Sequence, residues 1–115
     1  MDIPTPNQPV RGSKSGKPIM VIFDLLGRNW ALGILWHLSQ QPCKFRELQS
    51  LCETISPTTL NKRIKELTEA GLIMRTIHGY TLTGYGIALS KLLYPIHDWA
   101  LDWAENYKTQ HKTHE

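Results

Sequence analysis

The sequence predicts a mainly α-helical domain with one small β-hairpin. Apolar residues recur every three or four positions over most of the chain, which is the spacing of one helix face. Past the middle, residues 72–77 and 80–82 have the composition of strands, and His78 and Gly79 between them predict a tight turn. The 115 residues, of which 41% are hydrophobic, are enough for one domain with a substantial core.

The chain is predicted to hold one folded domain between two tails. Residues 1–17 are rich in Pro, Gly and Ser and also carry basic side chains. Such a composition cannot bury enough apolar area to offset its ordering entropy, which predicts a flexible basic tail. We assign residues 18–107 to the domain and residues 108–115 to a C-terminal tail.

Two helices are predicted to open the domain. The first begins at Pro18, which suits the first helical position, and stops at Gly27. Asn29 is a candidate cap for the second helix, which covers residues 30 to about 39 and presents a wide apolar stripe. Because the stripe is wide, we expect the second helix to be central and buried.

A helix-turn-helix is predicted to follow. Its first helix covers residues 46–52, with three residues expected to point inward: Leu48, Leu51 and Cys52. Ile55 lies in the turn, where it can fill the gap between the two helices. Ser56 is a good N-cap for the second helix, Pro57 fits its first position, and Gly71 supplies the usual left-handed stop. Two helices joined by about four residues form this motif.

The second helix of the motif has an apolar and a polar face. The apolar face holds Leu60, Ile64 and Leu67, which are four and three residues apart. The other face carries small polar groups near the helix start and cations in its middle turns: Thr58, Asn61, Lys62 and Lys65, with Arg63 at the flank. A helix that reads DNA bases from its N-terminal end needs this combination. An ordinary amphipathic helix with a solvated basic face has the same pattern, so the neighbouring elements decide between the two.

The predicted hairpin places Ile77 opposite Tyr80. One buried side is then formed by Ile73, Ile77, Tyr80 and Leu82. Strict alternation puts Arg75 on that side as well, so its head group must reach past the sheet edge. A helix-turn-helix followed by a two-stranded hairpin is the element order of a winged helix.

A long helix is predicted from about Gly84 to Tyr107, with Thr83 as its cap. Pro95 lies in its middle, so a bend or a lost hydrogen bond is expected there. This helix carries more apolar surface than a monomer of this size should expose, and such an excess usually covers a partner. Two arrangements are open, a dimer formed through this helix and a helix folded back onto its own domain. We favour the dimer.

Six short motifs occur in order and nearly without gaps over about residues 18–103. They are Asp24-Leu25-Leu26-Gly27-x-x-Trp30, Ile34-Leu35-x-x-Leu38, Phe45-x-Glu47-Leu48, Ile55-Ser56-Pro57-x-x-Leu60-x-x-Arg63-Ile64-x-Glu66-Leu67, Gly71-Leu72-Ile73-x-Arg75 and Tyr80-x-Leu82-Thr83-x-x-Gly86. With this ordered set the chain resembles the HxlR family of bacterial and archaeal winged-helix regulators. The resemblance implies homodimers that bind palindromic operators, a recognition helix at residues 56–70, and a dimer interface built from the first and last helices.

The resemblance and the polar helix face together give two sets of candidate residues. The candidate DNA-binding residues are Lys44, Arg46, Ser56, Thr58, Thr59, Asn61, Lys62, Arg63, Lys65, Arg75 and His78. Asn61 is the best candidate for reading a base, since its amide can pair bidentately with adenine. The candidate dimer-interface residues are Ile19, Ile22, Phe23, Leu89, Leu92, Ile96, Trp99 and Trp103.

The chain departs from the family pattern in two places. Only His78 and Gly79 separate the predicted strands, which leaves open whether the shortened wing reaches the neighbouring minor groove. Lys17 precedes Pro18, at the position where some members carry a redox-sensing cysteine, which argues against that mechanism here. Cys43 and Cys52 are expected to be small core residues.

These observations predict a sequence-specific transcription regulator that binds double-stranded DNA as a homodimer. The net charge of +3 permits a nucleic-acid partner without requiring one. The alternative is a winged-helix protein-interaction module that no longer binds DNA.

Other classes of function find little support in the sequence. It contains no catalytic constellation, metal site or cofactor motif, so we expect neither an enzyme nor a bound cofactor. Trp99 and Trp103 could line a pocket for an unidentified small-molecule effector, although interface packing is the stronger interpretation. With neither a signal peptide nor a membrane-spanning run, the sequence predicts a cytoplasmic protein with no membrane partner.

Overall fold

The computed structural model describes Pro6 and residues 16–112. The predicted N-terminal tail therefore lies outside the described residues, apart from Pro6, Gly16 and Lys17. Within the described part, the chain forms five helices and one two-stranded antiparallel sheet. In chain order the elements are α1 (Pro18–Leu26), α2 (Ala31–Gln40), α3 (Phe45–Leu51), α4 (Pro57–Glu69), β1 (Ile73–Thr76), β2 (Gly79–Leu82) and α5 (Gly84–Lys112).

The limits of α4 follow from its capping residues. The Ser56 hydroxyl oxygen accepts the backbone N–H of Thr59 at 3.1 Å, and Pro57 occupies the first helical position. Gly71 follows the helix with a φ of 80°, a left-handed conformation that glycine adopts without strain. Both ends of this helix are therefore where the sequence predicts them.

The turn between α1 and α2 differs from its prediction. Trp30, rather than Asn29, stands at the N-cap position of α2, and it has a left-handed φ of 72°. A bulky side chain rarely adopts this conformation, and here the ring of Trp30 packs against the core. The carbonyl oxygen of Asn29 accepts a hydrogen bond from Nε of Arg63 at 2.7 Å, so this turn contacts α4.

The core lies where α2 meets the helix-turn-helix formed by α3 and α4. Its completely buried members include Ile34 and Leu35 on α2, Leu48 on α3, and Leu60 and Leu67 on α4. The prediction that α2 is central and buried is thus confirmed. The first helix and the hairpin close this core with Leu25, Ile73 and Leu82.

The buried side of α3 is narrower than predicted. Leu51 was expected to face inward, but the structure leaves it 44% exposed. The helix buries Leu48 and Cys52, which are four residues apart, and Leu51 lies about 100° round the helix axis from Cys52. Ile55 is buried in the turn before α4, as predicted.

The turn of the hairpin comes one residue earlier than predicted. Thr76 of β1 pairs with Gly79 of β2, so residues 77–78 form the turn and Gly79 belongs to the strand. Ile77 was expected to lie on the buried side, but it is 91% exposed at the tip of the hairpin. The predicted pairing of Ile77 with Tyr80 is therefore wrong.

A third piece of chain explains this register. Cys43 forms an antiparallel bridge with Tyr80, through backbone hydrogen bonds of 3.0 and 2.7 Å. This contact brings the Cys43 backbone so close that a Cβ at position 79 would lie 2.5 Å from its carbonyl oxygen. Glycine is therefore needed in the strand at Gly79, where φ is 107°.

The start of α5 is fixed to the helix-turn-helix. The Thr83 hydroxyl accepts the N–H of Gly86 at 3.1 Å and donates to the carbonyl oxygen of Gly71. A Cβ at Gly86 would lie 2.0 Å from the carbonyl oxygen of Leu72, so only glycine permits this approach. Thr83 is the predicted cap, and the structure confirms it.

The second half of α5 extends away from the rest of the chain. Trp36 on α2 contacts Tyr94 and His97, with ring centroids 5.5 and 5.3 Å apart. Over residues 95–110 every residue except Ala100 is exposed. The helix therefore begins on the core and ends in solvent.

The last helix is also longer than predicted. It runs without interruption through Pro95 and reaches Lys112, beyond the predicted end at Tyr107.

No single helix in the described ranges has the length and apolar character needed to cross a membrane. Only α1 and α2 taken together have both, and they are bent by 86° relative to each other.

Candidate nucleic-acid interface

One face of α4 is anchored in the core, and the opposite face is open. The anchor consists of Leu60, Ile64 and Leu67, which are all buried. The exposed residues of the opposite face are Thr58, Asn61, Lys62 and Lys65. The structure thus presents to solvent the four polar residues that the sequence assigned to this face. We call these four residues the polar row of α4.

The start of α4 is stiffened by two hydroxyl groups. Oγ of Ser56 donates to Oγ1 of Thr59 at 2.9 Å while accepting the Thr59 N–H. Ser56 is exposed and Thr59 is half-buried. Both were predicted to bind DNA, and their hydroxyl groups already stabilise the helix end in the free protein.

Arg63 faces the protein instead of the solvent. Its Nε donates to the carbonyl oxygen of Asn29 at 2.7 Å, and its Nη1 donates to Oε1 of Glu66 at 2.9 Å. The side chain is 13% exposed. The sequence placed Arg63 at the flank of the polar face, whereas its hydrogen bond to Asn29 in the α1–α2 turn holds the side chain against the protein. We therefore remove Arg63 from the set of phosphate contacts.

Arg28 in the same turn forms two ion pairs that the sequence analysis missed. Arg28 donates to Oε2 of Glu66 and, at 3.3 Å, to Oδ2 of Asp24. These three side chains are nearly buried, and they connect α1 to α4. The helical period gave no signal for this burial, because Glu66 lies about 100° round the helix axis from Leu67 and further from Ile64.

A second cationic surface lies between the start of α3 and the hairpin. It is a groove of about 340 Å³ whose lining includes Lys44, Arg46 and Arg75. The guanidinium group of Arg75 lies over the ring of Tyr80, 5.9 Å from the ring centroid. Arg75 and Tyr80 are paired across the two strands, so this contact lies on one face of the hairpin. His78 is exposed at the hairpin turn. We call this surface the wing groove.

Most of the exposed large apolar side chains lie on α5, and α1 adds Ile19 and Phe23. Six of the predicted dimer-interface residues are more than half exposed: Ile19, Phe23, Leu92, Ile96, Trp99 and Trp103. The other two, Ile22 and Leu89, are partly buried against the chain's own core. On α5 the indole rings of Trp99 and Trp103 stack with centroids 5.8 Å apart.

Comparison with known proteins gives the family of this chain. The family model described as HxlR-like helix-turn-helix matches residues 25–108. The chain belongs to this family. The match covers α2, the helix-turn-helix, the hairpin and most of α5, so it includes both cationic surfaces.

Relatives of this HxlR-like protein are transcriptional regulators. The HTH-type transcriptional regulator YodB of Bacillus subtilis (strain 168) is 31% identical over 90 residues, which are 72% of this chain and 80% of that protein. The uncharacterized HTH-type transcriptional regulator YybR of the same organism is 23% identical over 107 residues, 84% of this chain and 86% of that protein. The family and these relatives are regulators and not enzymes, and the family implies DNA binding.

Solved structures agree with the winged helix-turn-helix fold. The crystal structure of quinone-bound YodB from B. subtilis matches with a TM-score of 0.67 at 32% identity, covering 73% of this chain and 96% of that one. A possible HxlR family transcriptional factor from Thermoplasma volcanium GSS1 matches with a TM-score of 0.68 at 26% identity, covering 77% and 86%.

The cysteines of this HxlR-like chain are in the core, as predicted. Burial raises the pKa of the Cys43 thiol, and the Glu47 carboxylate raises it further. Burial also raises the pKa of Cys52, with an added contribution from Cys43. Because the thiolate is the reactive form, both residues are poor nucleophiles at neutral pH.

Among the described residues, no cluster of His, Cys, Asp or Glu could hold a metal ion.

Proposed function

We propose that this protein is a sequence-specific transcription regulator that binds a palindromic operator as a homodimer. The observation that carries this proposal is the polar row of α4, exposed along a helix whose other side is buried in the core. A rigid helix with an open polar face can enter the major groove of DNA, because the groove is wide enough for one α-helix. Two copies related by a twofold axis would then read half-sites about 34 Å apart.

Base reading is assigned to the N-terminal half of the polar row. Asn61 is exposed one turn into the helix, and its amide can form a bidentate pair with adenine, in which Nδ2 donates to N7 and Oδ1 accepts from N6. Thr58 lies about one turn before it and offers both a hydroxyl and a methyl group. Short side chains suit this position because the helix start comes closest to the base edges.

Phosphate contacts are assigned to exposed cations on both cationic surfaces. Lys62 and Lys65 extend from α4, and Lys44, Arg46 and Arg75 line the wing groove. Such contacts fix the register of the protein on the duplex and make binding depend on salt. His78 at the hairpin turn is a further candidate, and the short wing limits how far it reaches.

The dimer interface is assigned to the apolar faces of α1 and α5. Full burial of a large apolar side chain is worth about 1.5–3 kcal/mol, so covering a side chain that is more than half exposed contributes roughly 1–2 kcal/mol. Six such side chains on each protomer favour a stable pair. Trp99 and Trp103 lie side by side on this face, with stacked rings whose centroids are 5.8 Å apart.

Selection from a random duplex library tests the DNA-binding part of the proposal. The full-length protein should enrich a palindromic sequence, and the charge-reversed variant Lys62→Glu/Lys65→Glu should lose binding to it. Enrichment of no sequence, together with no retention on heparin at low salt, would favour the second candidate function. That candidate is a protein-interaction module, and the exposed apolar half of α5 is its support.

Two aspartate substitutions test the dimer. Ile96 and Leu101 lie on the same exposed half of α5, and each is 60% exposed. They point about 140° apart around the helix, since they are five residues apart. In sedimentation equilibrium, Ile96→Asp should give monomers while Leu101→Asp should leave the dimer intact. Dimers of equal strength in both variants would remove this face of α5 from the interface.

A further inference from the structure

Four charged side chains form one nearly buried network beneath the polar row of α4. Asp24 and Arg28 come from α1 and the turn after it, and Arg63 and Glu66 come from α4. Their side chains are between 5% and 13% exposed. The network therefore joins the helix that would read DNA to the first helix of the domain, without facing solvent.

The carboxylate of Glu66 is held from both sides. Its Oε2 accepts from Nη1 of Arg28, and its Oε1 accepts from Nη1 of Arg63 at 2.9 Å. Nε of Arg63 then continues to the carbonyl oxygen of Asn29. Charge-assisted hydrogen bonds of this kind are directional, so they fix the carboxylate in orientation as well as in distance.

The apolar anchor and the charged network hold α4 in different ways. Leu60, Ile64 and Leu67 anchor the helix by burial, which is non-directional. Withdrawing four charges from water is unfavourable, and well-packed apolar residues of similar volume often stabilise a core as well or better. The network thus contributes little to stability that apolar residues could not supply, whereas it restricts the rotation of α4 about its own axis.

We propose that Arg28, Arg63 and Glu66 are positioning residues for DNA reading. They set the rotation of α4 against the α1–α2 turn, and this rotation decides which side chains of the polar row meet the base edges. A rotation of about 10° moves the tip of a side chain about 6 Å from the helix axis by about 1 Å. A bidentate pair between Asn61 and a base does not survive such a shift. The proposal rests on the proposed DNA-binding function.

Glu66→Gln tests the network, and Glu69→Gln is its matched control. Both replace one carboxylate on α4 by an amide, so they change the net charge of the protein equally. Glu69 is exposed, whereas Glu66 is buried between two arginines. Each protein is assayed on the duplex selected by the wild type and on a random duplex of equal length, well below its melting temperature. The measured quantity is the ratio of the two affinities.

We expect Glu66→Gln to lower this ratio by about tenfold, because one misplaced base contact has about this effect. The variant should lose affinity chiefly for the selected duplex. Glu69→Gln should leave the ratio unchanged. A selection repeated with Glu66→Gln should also give a less defined half-site. If Glu66→Gln does not fold, Arg28→Lys replaces it, since lysine keeps the charge but cannot hold two carboxylates in a planar fork.

The outcomes separate this inference from the function on which it rests. A wild-type protein without sequence preference overturns the DNA-binding proposal and this inference together. A wild-type preference that the folded network variant keeps unchanged overturns the inference alone. Equal losses on the selected and the random duplex assign the network a purely structural role and also overturn it.

Discussion

Removing the ammonium group of Lys62 should flatten the salt dependence of DNA binding. Lys62 is exposed on α4 next to Asn61, and we assign it to a phosphate contact. Each phosphate neutralised on duplex DNA contributes about 0.9 to the slope of log affinity against log salt. A homodimer presents two copies of Lys62, so Lys62→Ala should reduce this slope by about 1.8.

This change of slope is large enough to measure by fluorescence anisotropy. Between about 50 and about 200 mM salt, the wild-type affinity should fall about 12-fold more than that of the variant. The same titration on a random duplex should show a similar change, because a phosphate contact carries no sequence information. The random duplex thus separates phosphate binding from base reading.

Lys91→Ala is the matched control for this titration. Lys91 is also an exposed lysine, but it lies on α5, beside a cavity formed with α2 and β2. Its removal lowers the net charge equally and should leave the slope as in the wild type. A Lys62→Ala slope that equals the Lys91→Ala slope would show that Lys62 meets no phosphate, and the assigned docking of α4 would then be wrong.

Three further substitutions test other parts of the structure. Asn61→Ala should reduce discrimination between the selected and a random duplex by about 1–3 kcal/mol for each half-site, and equal losses on both in gel-shift titrations would exclude base reading. Ser56→Ala removes the hydroxyl that accepts the Thr59 N–H at 3.1 Å. The free energy of unfolding, measured by urea denaturation, should fall by about 0.5–2 kcal/mol. An unchanged value would show that this cap contributes nothing to stability. Gly79→Ala should destabilise the fold by about 1–3 kcal/mol, because its Cβ would lie 2.5 Å from the Cys43 carbonyl oxygen at a φ of 107°. Gly84→Ala, which meets nothing within 4 Å, should unfold like the wild type, and equal melting of the two alanine variants would contradict the close approach.

Local signals in the sequence were sufficient for most element limits. Pro18, Ser56, Gly71 and Thr83 each stand at the helix end that the sequence predicts. Caps of this kind act within a few residues, so a single sequence contains the information. The exposed polar row of α4 was predictable for the same reason, because a period of 3.6 residues separates its two faces.

Two of the errors occur where distant parts of the chain meet. The hairpin register depends on Cys43, which lies outside both strands and reaches Tyr80 by a backbone bridge. The orientation of Arg63 depends on Asn29, 34 residues earlier in the chain. Contacts over such separations produce no periodic pattern in the sequence. The sequence therefore predicted the hairpin turn at His78 and Gly79, whereas in the structure the turn lies one residue earlier.

The tight junction at Gly86 makes α5 a long lever. Its 29 residues span about 43 Å at 1.5 Å per residue, and one end is held against the Leu72 carbonyl. Lys112 lies 26 residues, or about 39 Å, beyond Gly86, so a tilt of about 5° at Gly86 displaces the far end of the helix by about 3 Å, close to the rise of one base pair along a DNA strand. A residue larger than glycine at position 86 would therefore displace the C-terminal end of α5 more than it displaces the atoms around position 86.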